Sequence, residues 1–290
     1  MTPLTKKAIT SVKLKMASVG GDKNLSRRRV LAGTAGVLVG AGGMAGSVSA
    51  SESCAVSNFS YTIHANTPYK TTVHVIEGQQ AGPTALVVGG MHGDEVAGYE
   101  AGNQILDWQI DRGTLVMLPE ADVDAINRGT RHGSVGYLNR QFPTGREPTS
   151  GLAQDIWGVV EMHEPDVVID MHSSRGIWGT DTEFDGYGQA VFSAPSAVAR
   201  EPAERTVNKM NERFLGSYPD SYDFTVGETI DGSEPMLAHK VVGELNRPGY
   251  IVEVTEDNTD LSTQIQWTKS VVTNLLRAYG LETSYASEHF

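Results

Sequence analysis

One stretch constrains this chain more than any other: Leu86-Val87-Val88-Gly89-Gly90-Met91-His92-Gly93-Asp94-Glu95. An apolar run stops at a double glycine, and a histidine and a glutamate follow three positions apart. A strand that ends in a glycine turn ahead of a helix belongs to an α/β fold, and it delivers side chains to the carboxyl edge of the sheet, where such folds place their sites. His92 and Glu95 offer the imidazole nitrogen and carboxylate oxygen that zinc takes at about 2.0–2.2 Å. Two donors do not make a hydrolytic centre, so the reading needs a third.

Pro165-Asp166-Val167-Val168-Ile169-Asp170-Met171-His172-Ser173-Ser174 repeats the buried-strand pattern with His172 at its exit. A lone histidine in such a junction is more often a core or surface residue than a ligand. With His92 and Glu95 in a matching context, the three read as a His-Glu-His set whose open fourth position holds the water to be activated. Asp170 precedes His172 by two residues, shares its strand face and is placed to orient the imidazole. Cys54 is the only cysteine. No disulfide forms within one chain, and the expected single zinc ion is held without thiolate.

The remaining pattern alternates strands with helices. Phe59–His64 and Thr71–Glu77 read as a hairpin, with further strands at Thr84–Gly89, Thr114–Leu118, Val167–Met171, Ala190–Ser193 and Tyr250–Thr255. Helical spacing covers Val96–Trp108, Leu152–Met162, Val198–Leu215, Met236–Val242 and Ile265–Tyr279, with a long loop from Pro119 to Thr149. Such alternation predicts an α/β three-layer sandwich, its central sheet mostly parallel, made mixed by the early hairpin and flanked by helices. Trp108, Trp157 and Trp267 fall on helical stretches and read as packing residues, and His64 and His74 as surface groups.

Residues 1–50 read as a leader. Ser26-Arg27-Arg28-Arg29-Val30-Leu31 precedes a Gly/Ala-rich run to Val48 and a small-residue cleavage pattern, Val48-Ser49-Ala50. This predicts twin-arginine export to the cell surface or exterior, with 51–290 as one catalytic domain. The run holds too many glycines and too few large apolar residues for a membrane anchor. Ser51-Glu52-Ser53 before Cys54 is a poor match to a lipid-attachment signal.

The chain carries 23 Lys+Arg against 35 Asp+Glu, a net charge of −12, and eight of the basic residues lie in the leader. Only Lys70, Lys209, Lys240 and Lys269 remain beyond it. An acidic, lysine-poor surface stays hydrated in strong salt, which points to a salt-loving source. With no basic patch to neutralise phosphates, neither nucleic acid nor an anionic membrane surface is an expected partner.

The loop after Pro119 carries Asn127-Arg128-Gly129-Thr130-Arg131-His132 and Leu138-Asn139-Arg140-Gln141-Phe142-Pro143. Arginines and an asparagine concentrated in a mainly acidic protein suggest an anion or carbonyl site, because guanidinium is a planar fork suited to carboxylate. Pairing with surface acids is the plainer alternative, strongest for Arg128. A glutamate, Glu253, interrupts the apolar run Tyr250–Thr255, where a carboxylate is costly without a partner.

The ordered set His92-x-x-Glu95, Gly129-Thr130-Arg131, Leu138-Asn139-Arg140-x-Phe142-Pro143 and Asp170-x-His172 resembles the succinylglutamate desuccinylase/aspartoacylase family, within the zinc-carboxypeptidase (M14-like) superfamily. The resemblance implies a zinc-carboxypeptidase-like fold with His92, Glu95 and His172 as metal ligands. It also implies Arg131 as the group that polarises the scissile carbonyl, Asn139 and Arg140 as the grip on a substrate carboxylate, and Glu253 as general base in preference to Glu256. Tyr137 departs from the acid usual before Leu-Asn-Arg. The stretch from Glu253 to Phe290 is short for the C-terminal β domain of characterised relatives, so a single domain without it is expected.

The expected activity is zinc-dependent hydrolysis of an amide or ester bond next to a carboxylate, on a small N-acyl amino acid. Trimming of peptide C-termini is the alternative within the class. A non-catalytic zinc- or ligand-binding protein on the same fold is the alternative outside it.

Overall fold

The structure, a computed structural model, describes residues 58–180 and 186–285. The expected leader, its export motif and Cys54 lie outside the described residues. No helix among the described residues is long and apolar enough to cross a membrane.

Eight strands form one sheet in the order β1-β2-β4-β3-β5-β8-β6-β7. β1 (Asn58–Ile63) and β2 (Thr71–Glu77) are the expected antiparallel hairpin, and β2 runs antiparallel to β4 (Arg112–Leu118). The centre is parallel: β4 with β3 (Gln80–Val88), β3 with β5 (Val167–Ser174), and β5 with β8 (Gly249–Thr255). β6 (Ala190–Ser193) then pairs antiparallel with β8 and parallel with the edge strand β7 (Thr225–Thr229). The sheet is therefore mixed at both ends, and not through the hairpin alone.

Helices cover both faces, as a sheet buried on two sides requires. Val87, Ile169, Met171, Val252 and Val254 pack with α1 (Val96–Ile105), α4 (Ala197–Phe214) and α6 (Leu261–Ala278). Leu86, Val88 and Val168 pack with α3 (Gly151–His163) and α5 (Leu237–Leu245), and Ile251 packs with Ala238 of α5. The strand period of two therefore puts Asp170, His172 and Glu253 on the α3/α5 face, beyond the last apolar layer. Trp108, Trp157 and Trp267 are buried as packing residues.

The long loop is less plain than its composition suggests. It holds α2 (Val123–Arg128), capped by Asp122 onto Ala125 N and closed by Gly129 at φ +59°, and a single 3-10 turn at Leu138–Arg140. The turn docks on α5. Phe142 N–H donates to Pro235 O at 3.0 Å, and the Leu237 N–H donates to Asn139 Oδ1 at 3.2 Å.

Lys240 clamps this loop from α5. It is 2% exposed, and its Nζ donates to Pro143 O at 3.0 Å, to Arg146 O at 2.7 Å and to the Glu244 carboxylate, 4.6 Å from the Trp157 ring centre. Lys240→Met leaves two carbonyls and a carboxylate short of a donor. It should cost about 2–4 kcal/mol in chemical denaturation, and an unchanged unfolding midpoint would refute the clamp.

Candidate metal centre and substrate cavity

The turn after β3 sets the first two donors. Gly89 O and Gly90 O accept from Ala121 N–H and Asp122 N–H, both at 2.9 Å, so the strand exit is tied to the chain leaving β4. Gly93 lies flat on α2: its N–H donates to Thr130 O at 3.0 Å, and a Cβ there would come within 2.0 Å of the Ala125 carbonyl carbon. Only glycine lets His92 and Glu95 sit this close to the 130–131 segment. Glu95 then precedes α1 but does not cap it, because its carboxylate is used elsewhere.

Glu95, His92 and His172 are all buried, and their donor atoms lie within 4.8 Å of one another. Glu95 Oε2 meets His172 Nδ1 at 2.6 Å and Ser173 N–H at 3.3 Å, while Oε1 accepts from Arg131 at 2.5 Å. Each histidine has its outer nitrogen committed. His92 Nδ1 faces Arg131 O at 2.9 Å, which makes it the N–H donor and turns the Nε2 lone pair inward. His172 Nε2 lies 3.1 Å from Asp170 Oδ2, leaving Nδ1 for the centre. Imidazoles oriented by an oxygen acceptor on the far nitrogen are the usual environment of metal-ligating histidine. The donor set and its orientation fit a zinc ion.

Electrostatics follow from burial opposed by pairing. Burial alone would raise Glu95, but His172, His92 and Arg131 outweigh it and hold the carboxyl down at about 2. Burial would lower His172, yet Asp170 and Glu95 keep it well above the ordinary histidine range. Glu253 goes the other way. Burial, reinforced by the charge of Glu95, pushes its carboxyl well above the usual carboxylate range against the pull of His172 and Arg131.

Glu253 is the register partner of His172 across the parallel β5–β8 pair, on the same face, and its buried Oε2 has no protein partner. Glu256, the competing candidate, is held by the Ser173 hydroxyl at 2.6 Å. A cavity of 460 Å³ opens over the centre, lined by Glu253, Arg131, Asn139 and Arg140 among others. Arg131 is half exposed. It gives one arm of its fork to Glu95 and lines the cavity with the rest. Arg140 is exposed, with NH1 on Asn139 O at 2.7 Å.

Asn139 is more engaged than its expected role as a carboxylate grip requires. Its Nδ2 donates to Asp170 at 3.3 Å and lies 3.2 Å from His172 Nε2, while its Oδ1 accepts from α5. It braces the Asp170–His172 pair, with one amide hydrogen left for the cavity. Arg128 pairs with Asp124 at 2.7 Å away from the cavity, and Arg175 does not line it either. Tyr137 is exposed beside the His132 ring. The far wall went unread in the sequence: Tyr187, Phe192, Met236 and His239 complete the cavity from β6, α5 and their flanking loops.

Comparison with known proteins bears on the family and the fold. Residues 81–180 match the model of the succinylglutamate desuccinylase/aspartoacylase catalytic domain. Over 100 residues the chain is 34% identical to the N-alpha-acetyl-L-2,4-diaminobutyric acid deacetylase of Halomonas elongata, covering 32% of this chain and 29% of that protein. Among solved structures, Csd4 of Helicobacter pylori, described in its mDAP-bound form as a D,L-carboxypeptidase, superposes with a TM-score of 0.60 at 17% identity over 70% of this chain and 52% of that one. A provisionally named metallopeptidase of Shewanella amazonensis gives 0.58 at 16% identity, over 77% and 87% of the two chains. The match thus spans under a third of the curated relative and about half of Csd4, and the superpositions establish the zinc-carboxypeptidase-like fold.

Proposed function

Residues 81–180 match the succinylglutamate desuccinylase/aspartoacylase catalytic domain, and we propose that the chain belongs to that family and is a zinc-dependent hydrolase of an amide bond next to a carboxylate, acting on N-acyl amino acids. The observation that carries this reading is Glu253, a carboxylate with a free buried oxygen, one strand away from a His-Glu-His cluster at the floor of a cavity.

His92, Glu95 and His172 would hold the metal. When bound, zinc supplies Lewis acidity and lowers the pKa of a coordinated water from 15.7 to about 7. Glu253 accepts the proton of the attacking water and returns it to the departing amine, a role suited to a buried carboxyl held above the usual carboxylate range. Arg131 donates to the oxyanion that develops on the substrate carbonyl. Arg140 receives the substrate carboxylate, and Asn139 keeps Asp170 and His172 in place. Holding the substrate at both ends brings its reacting carbonyl close before the bond is broken.

Removal of peptide C-terminal residues is the second reading. It is supported by the likeness to Csd4 and by a cavity with room for more than a small acyl amino acid. Metal analysis by mass spectrometry should give about one zinc per chain. A panel of N-acyl amino acids and short peptides, assayed in high salt, should show turnover that is abolished by a chelator and restored by zinc. A protein that takes up no metal, or turns over neither class when loaded, leaves a binding protein on a hydrolase fold. Export through the twin-arginine pathway predicts a mature protein that starts at Ser51, and N-terminal sequencing of secreted material that finds an intact leader would refute it.

A further inference from the structure

α5 contributes His239, a residue only 7% exposed, to the cavity wall. Its Nδ1 lies 3.3 Å from the backbone N–H groups of both Gly232 and Glu234. Two N–H donors need a lone pair, so Nδ1 carries no hydrogen and the neutral ring bears its proton on Nε2. Asp231 does not reverse this. Its Oδ1 is 3.6 Å from Nδ1, too far for a hydrogen bond, and already accepts from Ser233 N–H at 2.9 Å. Burial keeps the ring neutral against the pull of Asp231 and Glu234, and the charge of Arg140 acts in the same direction as burial. The result is a fixed Nε2–H donor with no acceptor among the described residues, on a cavity wall within electrostatic reach of Arg140.

We infer that His239 is a further substrate-binding residue, whose Nε2–H donates to the substrate carboxylate alongside the Arg140 guanidinium. The inference rests on reading this cavity as the substrate site. A neutral donor suits the place. A second cation would repel Arg140, whereas an oriented N–H adds a bond without that cost. Glu228, Asp231 and Glu234 also line the cavity. A carboxylate can settle only where donors outweigh those acids, and Arg140 with His239 forms that spot.

Two substitutions separate the halves of the ring. His239→Asn keeps an acceptor for the loop N–H groups but its amide is too short to donate from the Nε2 position, and His239→Gln keeps a donor there. Binding is measured by calorimetry on the mature, zinc-loaded chain in a Glu253→Gln background, with N-acetyl-L-alanine and N-acetyl-L-alaninamide as probes. The parent should prefer the acid. His239→Asn should lose about tenfold of that preference with its melting temperature unchanged, and His239→Gln should keep it within about threefold. Retained preference in His239→Asn, loss in a folded His239→Gln, or no preference in the parent overturns the inference, and if one variant fails to fold the other decides. Turnover of the acid by wild type reports separately on the hydrolase reading. A chain with the predicted preferences but no turnover would sink that reading and leave this one standing.

Discussion

Glu253→Gln should lower kcat by about a thousandfold while leaving metal content at the wild-type level, on the scale of losing a positioned general base. The side chain keeps its shape and loses only the capacity to take a proton. Nothing in the fold depends on its charge: Oε2 has no protein partner, and burial next to Glu95 disfavours the ionised form. The melting temperature should therefore hold, since the amide keeps the shape of the side chain and adds no buried charge. Steady-state kinetics, metal analysis and a melting curve on one preparation read all three. A variant that keeps kcat within tenfold of wild type would move the proton-transfer role to another group, with Glu256 the first to test.

His172→Ala should empty the site and end turnover, and it should also cost stability. Asp170 is fully buried and faces the imidazole at 3.1 Å. Without the ring, its carboxylate keeps only the Asn139 amide at 3.3 Å, and Oδ1 already has no partner. An abandoned buried charge of this kind typically costs about 3–5 kcal/mol. Asp170→Asn is the milder comparison. It retains both ligating histidines and weakens the orientation of one, so metal affinity should fall about 10- to 100-fold without loss of the fold. Competition against a chelator of known affinity ranks the three proteins. Full occupancy in His172→Ala would show that the metal does not depend on this residue.

How far the sequence reveals this protein depends on the length of the signal. β3, β5 and β8 are long apolar runs, buried on both faces, and their exits carry His92, His172 and Glu253 in plain view. The period of two was enough to put Asp170 and His172 on one face. Shorter elements stayed hidden. α2 has six residues, fewer than two turns, and the cap at Asp122 and the left-handed Gly129 were its only marks. β7 is an edge strand with most side chains exposed, so it lacks an apolar face to read. α6 starts at Leu261, four residues before its apolar period begins, because the Asp260 cap and not burial fixes the start.

Within the site, residue types were legible and their liaisons were not. The grip of Arg131 on Glu95 joins positions 36 apart, and the brace from Asn139 to Asp170 joins positions 31 apart. The first depends on how the loop packs against the turn after β3, and the second on how it docks on α5. His239 lay unmarked in a weak helical segment, since the two backbone N–H groups that fix its tautomer come from a turn with no sequence pattern of its own.

His172 and Glu253 are neighbours in register on adjacent strands, and this divides the labour of change between parts of the molecule. Strands in a sheet keep a spacing of about 4.8 Å whatever their side chains do. The separation of the proposed ligand from the proposed base is thus inherited from backbone pairing at the heart of the sheet. The residues that would sort one substrate from another sit mainly on the 130–146 loop, the segment before β6 and the turn between β7 and α5, outside that ladder. Lengthening or rewriting those segments would reshape the cavity without moving His172 relative to Glu253. A scaffold built this way is suited to acquiring new specificities by loop exchange.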